Sequence, residues 1–429
     1  MVPMRLLILG ASFAALGAAQ SVTFYKDVLP VLQANCQSCH RPGETAPFSL
    51  LTYESSRPWA KAIKAAVLTR KMPPWFAGEP STHFANDRSL READVKTLVA
   101  WADSGAPAGD PAAAPKPIEW TEGWAIGKPD VVFEPPAAIP VPASGTIEYQ
   151  YVIVPTGFTE DKYIQFAEAR PSDREHTHHI VAYIRPPGSK WLEEYPAGQP
   201  FEPVNAKEGG KGQREFFVGY APGTLPERIK PGQSKLIRAG SDIVFQLHYT
   251  ANGKPGSDRP KVGFIFAKQQ TSERVLTAAA QKDDFEIPAG AANFRLEASF
   301  TLDRDATLIN LAPHMHLRGK SFEYRIKYPT GETETVLTVP HYNFNWQLTY
   351  DLSEPRLLPK GTVVEVTAWF DNSAANPANP DPTAVVHQGE QSWDEMLVGF
   401  FEISFPFQNG QPAKKESAGV VYPAHAGNE

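Results

Sequence analysis

The sequence predicts a multidomain chain: a small all-α domain followed by two all-β jelly-roll sandwich domains. Three observations predict it. At 429 residues the chain is too long for one ordinary domain. Its two cysteines, Cys36 and Cys39, lie together in a compact segment of helical character that ends before residue 110. From Ile118 onward the pattern changes to short alternating or apolar runs such as YQYVIVPT, SDIVFQLHYT, KVGFIFA, RLEASFTL, FEYRIKY and TVVEVTAWF. Gly, Pro, Asn and Asp clusters separate these runs, and no long stretch has helical period.

Composition narrows the partners. Hydrophobic content of 42% suffices for real cores, and a net charge of −7 leaves no basic stripe of the kind nucleic acid requires. Residues 1–19 carry one Arg, an apolar run from Leu6 to Leu16 and small residues from Gly17 to Ala19, which together read as a secretory signal peptide. That run is short for a bilayer, and no other stretch approaches roughly 18 uninterrupted apolar residues. The mature chain is expected to be exported, periplasmic or extracellular, without a membrane span. No Cys follows the signal, which disfavours a lipoprotein.

Residues 20–109 are built around Cys36-Gln37-Ser38-Cys39-His40. Two thiols three positions apart can each form a thioether to a haem edge, and the adjacent imidazole then falls over the iron. The expected domain is therefore a c-type cytochrome with one covalently bound haem c, and His40 is the proximal ligand. A zinc half-site and a redox CxxC pair are the competing uses of this spacing. For the sixth iron ligand the candidates are Met72, in RKMPPW, and His83. Met72 is preferred because a thioether stabilises ferrous iron and raises the potential. Ser89 with Glu92 reads as a capping box opening the last helix, Leu90, Val95, Leu98, Val99 and Trp101 supply its apolar positions, and Gly105 ends it. Residues 110–117, rich in Pro and Ala, form an extended linker.

The β-rich remainder exceeds one sandwich and divides near Gln270 to Phe285, a polar stretch poor in strand pattern. This gives domains at 118–275 and 276–412 and a tail at 413–429. The histidines within them are grouped. His314 and His316, in LAPHMHLRGK, stand at i and i+2 on an expected strand and so share a face, opposite Leu311, Pro313, Met315 and Leu317. His178 and His179, in EHTHHIV, are adjacent, and adjacent strand residues reach one metal only at a strand end or a bulge. His248, in FQLHYT, can complete a three-nitrogen set with them, while His176 with His178 is a rival i, i+2 pair. Met396, in SWDEMLVGFFEI, is the candidate third ligand for His314 and His316. A His-His-Met set selects copper, because a soft thioether suits Cu(I) and has little use for zinc, calcium or magnesium. His341 and His387 read as structural or cleft residues. Tyr249, Arg318 and Gln391 adjoin the candidate ligands.

The segments EHTHHIV, QLHYT, HMH and WDEM, in this order, resemble the copper type II, ascorbate-dependent monooxygenases, the family of peptidylglycine α-hydroxylating monooxygenase and dopamine β-monooxygenase. AWFDNSAANPANPDP, followed by HQGEQSWDEM, resembles the same family's approach to its methionine ligand. The resemblance covers roughly residues 145–407. It implies two jelly rolls facing each other across a solvent-filled cleft. It also implies two copper ions: His178, His179 and His248 would hold an electron-transfer copper, and His314, His316 and Met396 the catalytic copper where O2 binds. Animal members carry disulfides, whereas Cys36 and Cys39 are already claimed and leave none for the β domains.

The expected function is that of an exported haem- and copper-containing monooxygenase. It would hydroxylate a small organic or peptide substrate with O2, fed by an ascorbate-like donor or a redox protein, with the fused haem as an internal electron source. A non-catalytic haem-copper electron-transfer or copper-binding protein is the alternative. A binding module with incidental histidines is a third.

Overall fold

The computed structural model describes residues 22–44, 46–120, 123–203, 214–221, 224 and 226–407, so the signal at 1–19 and the tail at 413–429 lie outside the described residues. The chain forms two compact units, one of Met1–Pro73 with Leu90–Ile118 and one of Pro74–Ser89 with Glu119–Glu429. It is mostly β-sheet with few helices. Among the described residues no helix is long and apolar enough to cross a membrane.

In the first unit the helices Leu29–Asn35, Ala60–Leu68 and Glu92–Asp103 close over Phe24, Leu32, Leu98 and Trp101, all fully buried. The Trp101 indole N–H donates to the Pro107 carbonyl at 3.0 Å, so its polar atom is satisfied inside the core. The last helix starts differently from the expected capping box. Arg91 is the N-cap and makes no side-chain cap bond, while the Ser89 N–H donates to Asp87 at 2.7 Å. Glu92 and Asp94 in the first turn supply the negative charge a helix start favours, and Arg91 clamps Asp94 at 2.8 Å. The expected stop holds: Gly105 follows the Ser104 C-cap at φ +87°.

Among the described residues the second unit has two large hydrophobic cores, one drawn from Phe133 to Phe264 and the other from Ala278 to Phe405, with smaller clusters around Tyr149 and around Ala279. This architecture is compatible with β-sandwich or jelly-roll domains. A five-stranded sheet in the first half orders Pro200–Phe201, Gln150–Pro155, Asp242–Tyr249, Thr177–Arg185 and Glu215–Tyr220. A four-stranded sheet in the second orders Phe294–Thr301, Val363–Phe370, Gly319–Lys327 and Thr333–Val339. A nine-stranded sheet joins the halves. It runs from Val131–Phe133 through Lys261–Phe266, Lys162–Arg170, Gln233–Ile237, Glu273–Lys282, Leu397–Pro406 and Ala306–His314 to Tyr350–Leu358, with Glu227–Arg228 pairing beside Lys162–Arg170. Its parallel step sets Glu273 and Arg274 beside Gln233 and Ser234.

Two expected boundaries shift. The division at 275/276 falls inside the strand Glu273–Lys282, which pairs along its whole length with Leu397–Pro406. Its Ala278, Ala279 and Ala280 are buried on both faces, so this half of the strand shows no alternation and has alanine where β-branched residues would mark a strand. The domain expected at 20–109 gives up residues 74–89 to the β unit. There the Gly78 N–H donates to Thr338 O at 2.8 Å and the Ala85 N–H to Asp351 O at 2.8 Å, while Trp75, Phe76, Ala77 and Phe84 pack against the second core. The segment covers backbone edges that would otherwise stand open.

Candidate metal centre

The first histidine group arises from a register fault. Asp242–Tyr249 pairs antiparallel with Thr177–Arg185, His248 lying opposite His179 and Tyr249 opposite Thr177. His178 is the extra residue of the resulting bulge, the device that lets adjacent side chains reach one point. The Nδ1 atoms of His178 and His179 are 3.2 Å apart, and His178, His179 and His248 each offer a ring nitrogen within 4.8 Å of the others. Among the described residues the buried Nδ1 of His248 has no hydrogen-bond partner. Tyr149 stacks on the His248 ring at 4.5 Å and an angle of 15°.

His176 is excluded from this group. Its Nδ1 bonds to Asp173 Oδ2 at 2.7 Å and its Nε2 to Lys254 O at 3.0 Å, so both nitrogens are engaged. Tyr249 packs into the core on the opposite face and donates to Asp258 at 3.2 Å.

The second group sits at the end of the strand Ala306–His314. His314 is its last residue and His316 lies just beyond, their rings 5.2 Å apart at 89°. Met315 between them is fully buried in the second core, as alternation requires. His314 pairs with Val398, the last rung of the ladder, and His316 and Met396 lie beyond the paired residues, tied to each other through the Glu395 carboxyl that accepts from both backbone N–H groups. The Met396 side chain packs against the small cluster of Ala279 and Val398, as do Phe216 and Phe400, and Phe400 also lies 6.3 Å from the His314 ring. Both His314 and His316 use Nδ1 inside the protein. His314 Nδ1 bonds to Gln347 Oε1 at 2.7 Å, and His316 Nδ1 approaches Asp394 O at 3.4 Å, which leaves Nε2 of each for a ligand.

Burial sets the protonation of all five rings. It lowers the pKa of His178 to about 4 and of His248 to about 3, with nearby imidazoles adding to the effect. His179 and His316 are held well below the usual histidine value, again first by burial and then by neighbouring imidazoles. Burial also lowers His314, against the opposing effect of its Nδ1–H donating to the Gln347 amide oxygen. At neutral pH these imidazoles carry lone pairs, the form that binds a metal ion. Three converging neutral nitrogens, one of them without a partner, fit a copper ion. The second pair offers two further nitrogens, with Met396 in the adjoining segment as the candidate soft donor.

Sequence reasoning missed the supports of the second group. The loop between Thr333–Val339 and Tyr350–Leu358 carries Tyr342, Phe344 and Gln347. The Tyr342 hydroxyl donates to Met315 O at 2.8 Å and accepts from Met315 N–H at 3.1 Å, while Gln347 orients His314. Glu395, fully buried, accepts from the backbone N–H of His316, Arg318 and Met396 at 2.9, 2.6 and 3.3 Å. Arg318 continues the network to Asn372 and Trp393, and Gln391 donates to Glu148 at 2.6 Å. An aromatic and amide-rich loop, HYNFNWQ, was the available signal. Gln347→Leu is expected to weaken metal binding at His314 about 10- to 100-fold with little change at His248, as read by copper titration.

In the helical unit, Cys36 caps the helix Leu29–Asn35 and the His40 N–H returns to Cys36 O at 2.9 Å, so the five-residue motif forms one turn. His40 Nδ1 bonds to Phe48 O at 3.3 Å, which leaves Nε2 for an iron. Burial, with Cys39 beside it, pushes the Cys36 thiol up to about 12, which argues against a reactive thiolate pair. Phe48 and the 41% exposed Trp59 stack at 4.1 Å beside His40, an apolar surface that a porphyrin would cover. These residues fit a covalently held haem. Met72 lies in the same unit, half-buried, after the helix Ala60–Leu68. His83 belongs to the β unit, where its carbonyl accepts from Ser353 N–H at 3.0 Å.

No protein-family model matches the chain, and no curated protein matches it. Among solved structures it is similar to the infectious bursal disease virus VP2 subviral particle, at 9% identity over 67% of this chain and 75% of that chain, with a TM-score of 0.20. It is also similar to PNGF-II, at 11% identity over 63% of this chain and 64% of that chain, TM-score 0.24. A third is PBCV-1 VP54 fitted into a reconstruction of the virophage Sputnik, at 9% over 63% and 97%, TM-score 0.19. TM-scores this low carry no argument about this chain.

Proposed function

We propose that this chain is an exported haem- and copper-containing monooxygenase of two copper-binding jelly rolls preceded by a c-type cytochrome. Bound copper would supply one-electron chemistry at the three-imidazole site and O2 activation for hydroxylation of an organic C–H bond at the site with a thioether. His178, His179 and His248 would hold the first ion. His314 and His316, through Nε2, and Met396 would hold the second, and Cys36, Cys39, His40 and Met72 the haem. The protein's own part is to keep these imidazoles neutral, to fix the His314 and His316 tautomers through Gln347 and Asp394, and to shield both groups from bulk water.

The observation that carries this reading is the convergence of His178, His179 and His248 within 4.8 Å, next to a second imidazole pair whose Nδ1 atoms are already engaged. Incidental histidines have no reason to be arranged so. Metal analysis of the purified holoprotein, alongside reductant-driven O2 uptake with peptide and aromatic amine substrates, tests it. About two coppers and one haem per chain with substrate-dependent uptake are expected. Copper without uptake would leave the electron-transfer or copper-binding alternative, and absence of copper would sink both.

A further inference from the structure

The resemblance implies open solvent between the two copper sites, but here one aromatic ring stands between the histidine groups. Phe344 stacks on His178 with centroids 4.9 Å apart and planes 20° from parallel, and it meets His316 edge-on at 5.8 Å and 78°. His178 also meets His179 through their Nδ1 atoms at 3.2 Å, but that contact is to another candidate ligand and does not lie flat on its ring as Phe344 does. Its other ring neighbours, His179 and His248, meet it edge-on at 5.5 and 5.1 Å and are themselves candidate ligands. As a bulge residue it also lacks the regular cross-strand neighbour that orients a side chain.

The loop that carries Phe344 is tied down on both sides. Tyr342 is held by Met315 and Lys320, the Trp346 N–H donates to Asn343 O at 2.9 Å, and Gln347 is bonded to His314. A ring mounted this rigidly can impose an orientation on the imidazole it covers.

We propose that Phe344 is a positioning residue and the partition between the two sites: its ring orients His178 by stacking and fills the gap toward His316, so that two ions load separately. This rests on the copper reading above. Removing the ring would let water into the gap and free the His178 imidazole to tilt, which distorts the three-nitrogen set without deleting a ligand. An aromatic substitute should preserve the arrangement, and an aliphatic side chain of similar bulk should not.

The test compares wild-type, Phe344→Leu and Phe344→Tyr full-length protein by two measurements. In the metal-free protein, ring-current shielding by Phe344 is expected to move the His178 ring protons upfield; the shift should vanish in Phe344→Leu and persist in Phe344→Tyr. In a Cu(II) titration followed by electron paramagnetic resonance, Phe344→Leu should weaken the three-imidazole site about 3- to 10-fold and alter its spectrum, while Phe344→Tyr stays near wild type. In a His178→Ala background, adding Phe344→Leu should change that site no further. The proposal is overturned if the wild-type His178 protons are unshielded, or if Phe344→Leu leaves copper affinity and spectrum unchanged. A wild-type chain that binds no copper would sink the functional reading, and the metal-free resonances would then decide the stacking by themselves.

Discussion

His248→Ala is expected to lower bound copper from about two ions per chain to about one, with haem content unchanged and substrate-dependent O2 uptake reduced to background. His178 and His179 would remain with two nitrogens where three converged, and the lost donor is the buried nitrogen without a partner. Loss of a direct ligand should exceed the 10- to 100-fold weakening typical when only an outer hydrogen-bond partner is removed. Met396→Ala should produce the complementary pattern. The two imidazoles of the second site would still hold Cu(II) weakly, but retention of Cu(I) should fall, because the soft thioether donor is gone. Copper analysis of oxidised and ascorbate-reduced protein separates the two variants. If each lost both ions together, the histidines would belong to a single merged site and the two-site reading would fail.

The local part of this site was legible in the sequence because it depends on alternation. The shared face of His314 and His316, the burial of Met315, and the need for a bulge at His178 and His179 all follow from the period of two along a strand. The preference for His179 over His176 comes from sequence, but the structural ground for the choice could not be read there. It rests on Asp173 and on Lys254, whose carbonyl reaches His176 across 78 residues of sequence. Gln347 and Phe344 escaped for the same reason, since what they touch is decided by how the loop folds back. Periodicity reports which face a residue is on, but it is silent about which distant side chain meets that face.

The fold followed the same rule. The helix Glu92–Asp103 and its Gly105 stop, the β-rich body and several of its longer strands, such as Asp242–Tyr249 and Val363–Phe370, were readable from local pattern. Glu273–Lys282 was not, because its Ala278, Ala279 and Ala280, buried on both faces, break the alternation and dilute the β-propensity of Val275 and Thr277. Residues 74–89 were assigned by chain position to the helical domain, whereas Trp75, Phe76 and Phe84 find their apolar partners in the second β core. The signal was present in WFA, an aromatic run that a small helical domain already closed over Trp101 had little room to bury.

Glu395→Ala is expected to have the largest effect on stability, lowering the unfolding free energy by about 3–5 kcal/mol in a urea titration, because three buried backbone N–H groups lose their acceptor. Those N–H groups belong to His316, Arg318 and Met396, so one carboxyl ties both segments of the second site together. Burial pushes this carboxyl up to about 8, against the opposing pull of the His316 and Arg318 N–H groups and the Arg318 charge. Both carboxyl oxygens accept, Oε2 from the His316 and Met396 N–H groups and Oε1 from the Arg318 N–H, so glutamine keeps an acceptor on one side only and turns its NH2 toward a donor on the other. Glu395→Gln should therefore lose about 1–3 kcal/mol, less than Glu395→Ala, which should also release the second ion. The two substitutions thus distinguish acceptor geometry from charge. Equal losses in both would mean that the ionised carboxylate is what holds the strand end to the methionine loop, and an unperturbed Glu395→Ala would show that the pairing of His314 with Val398 suffices alone.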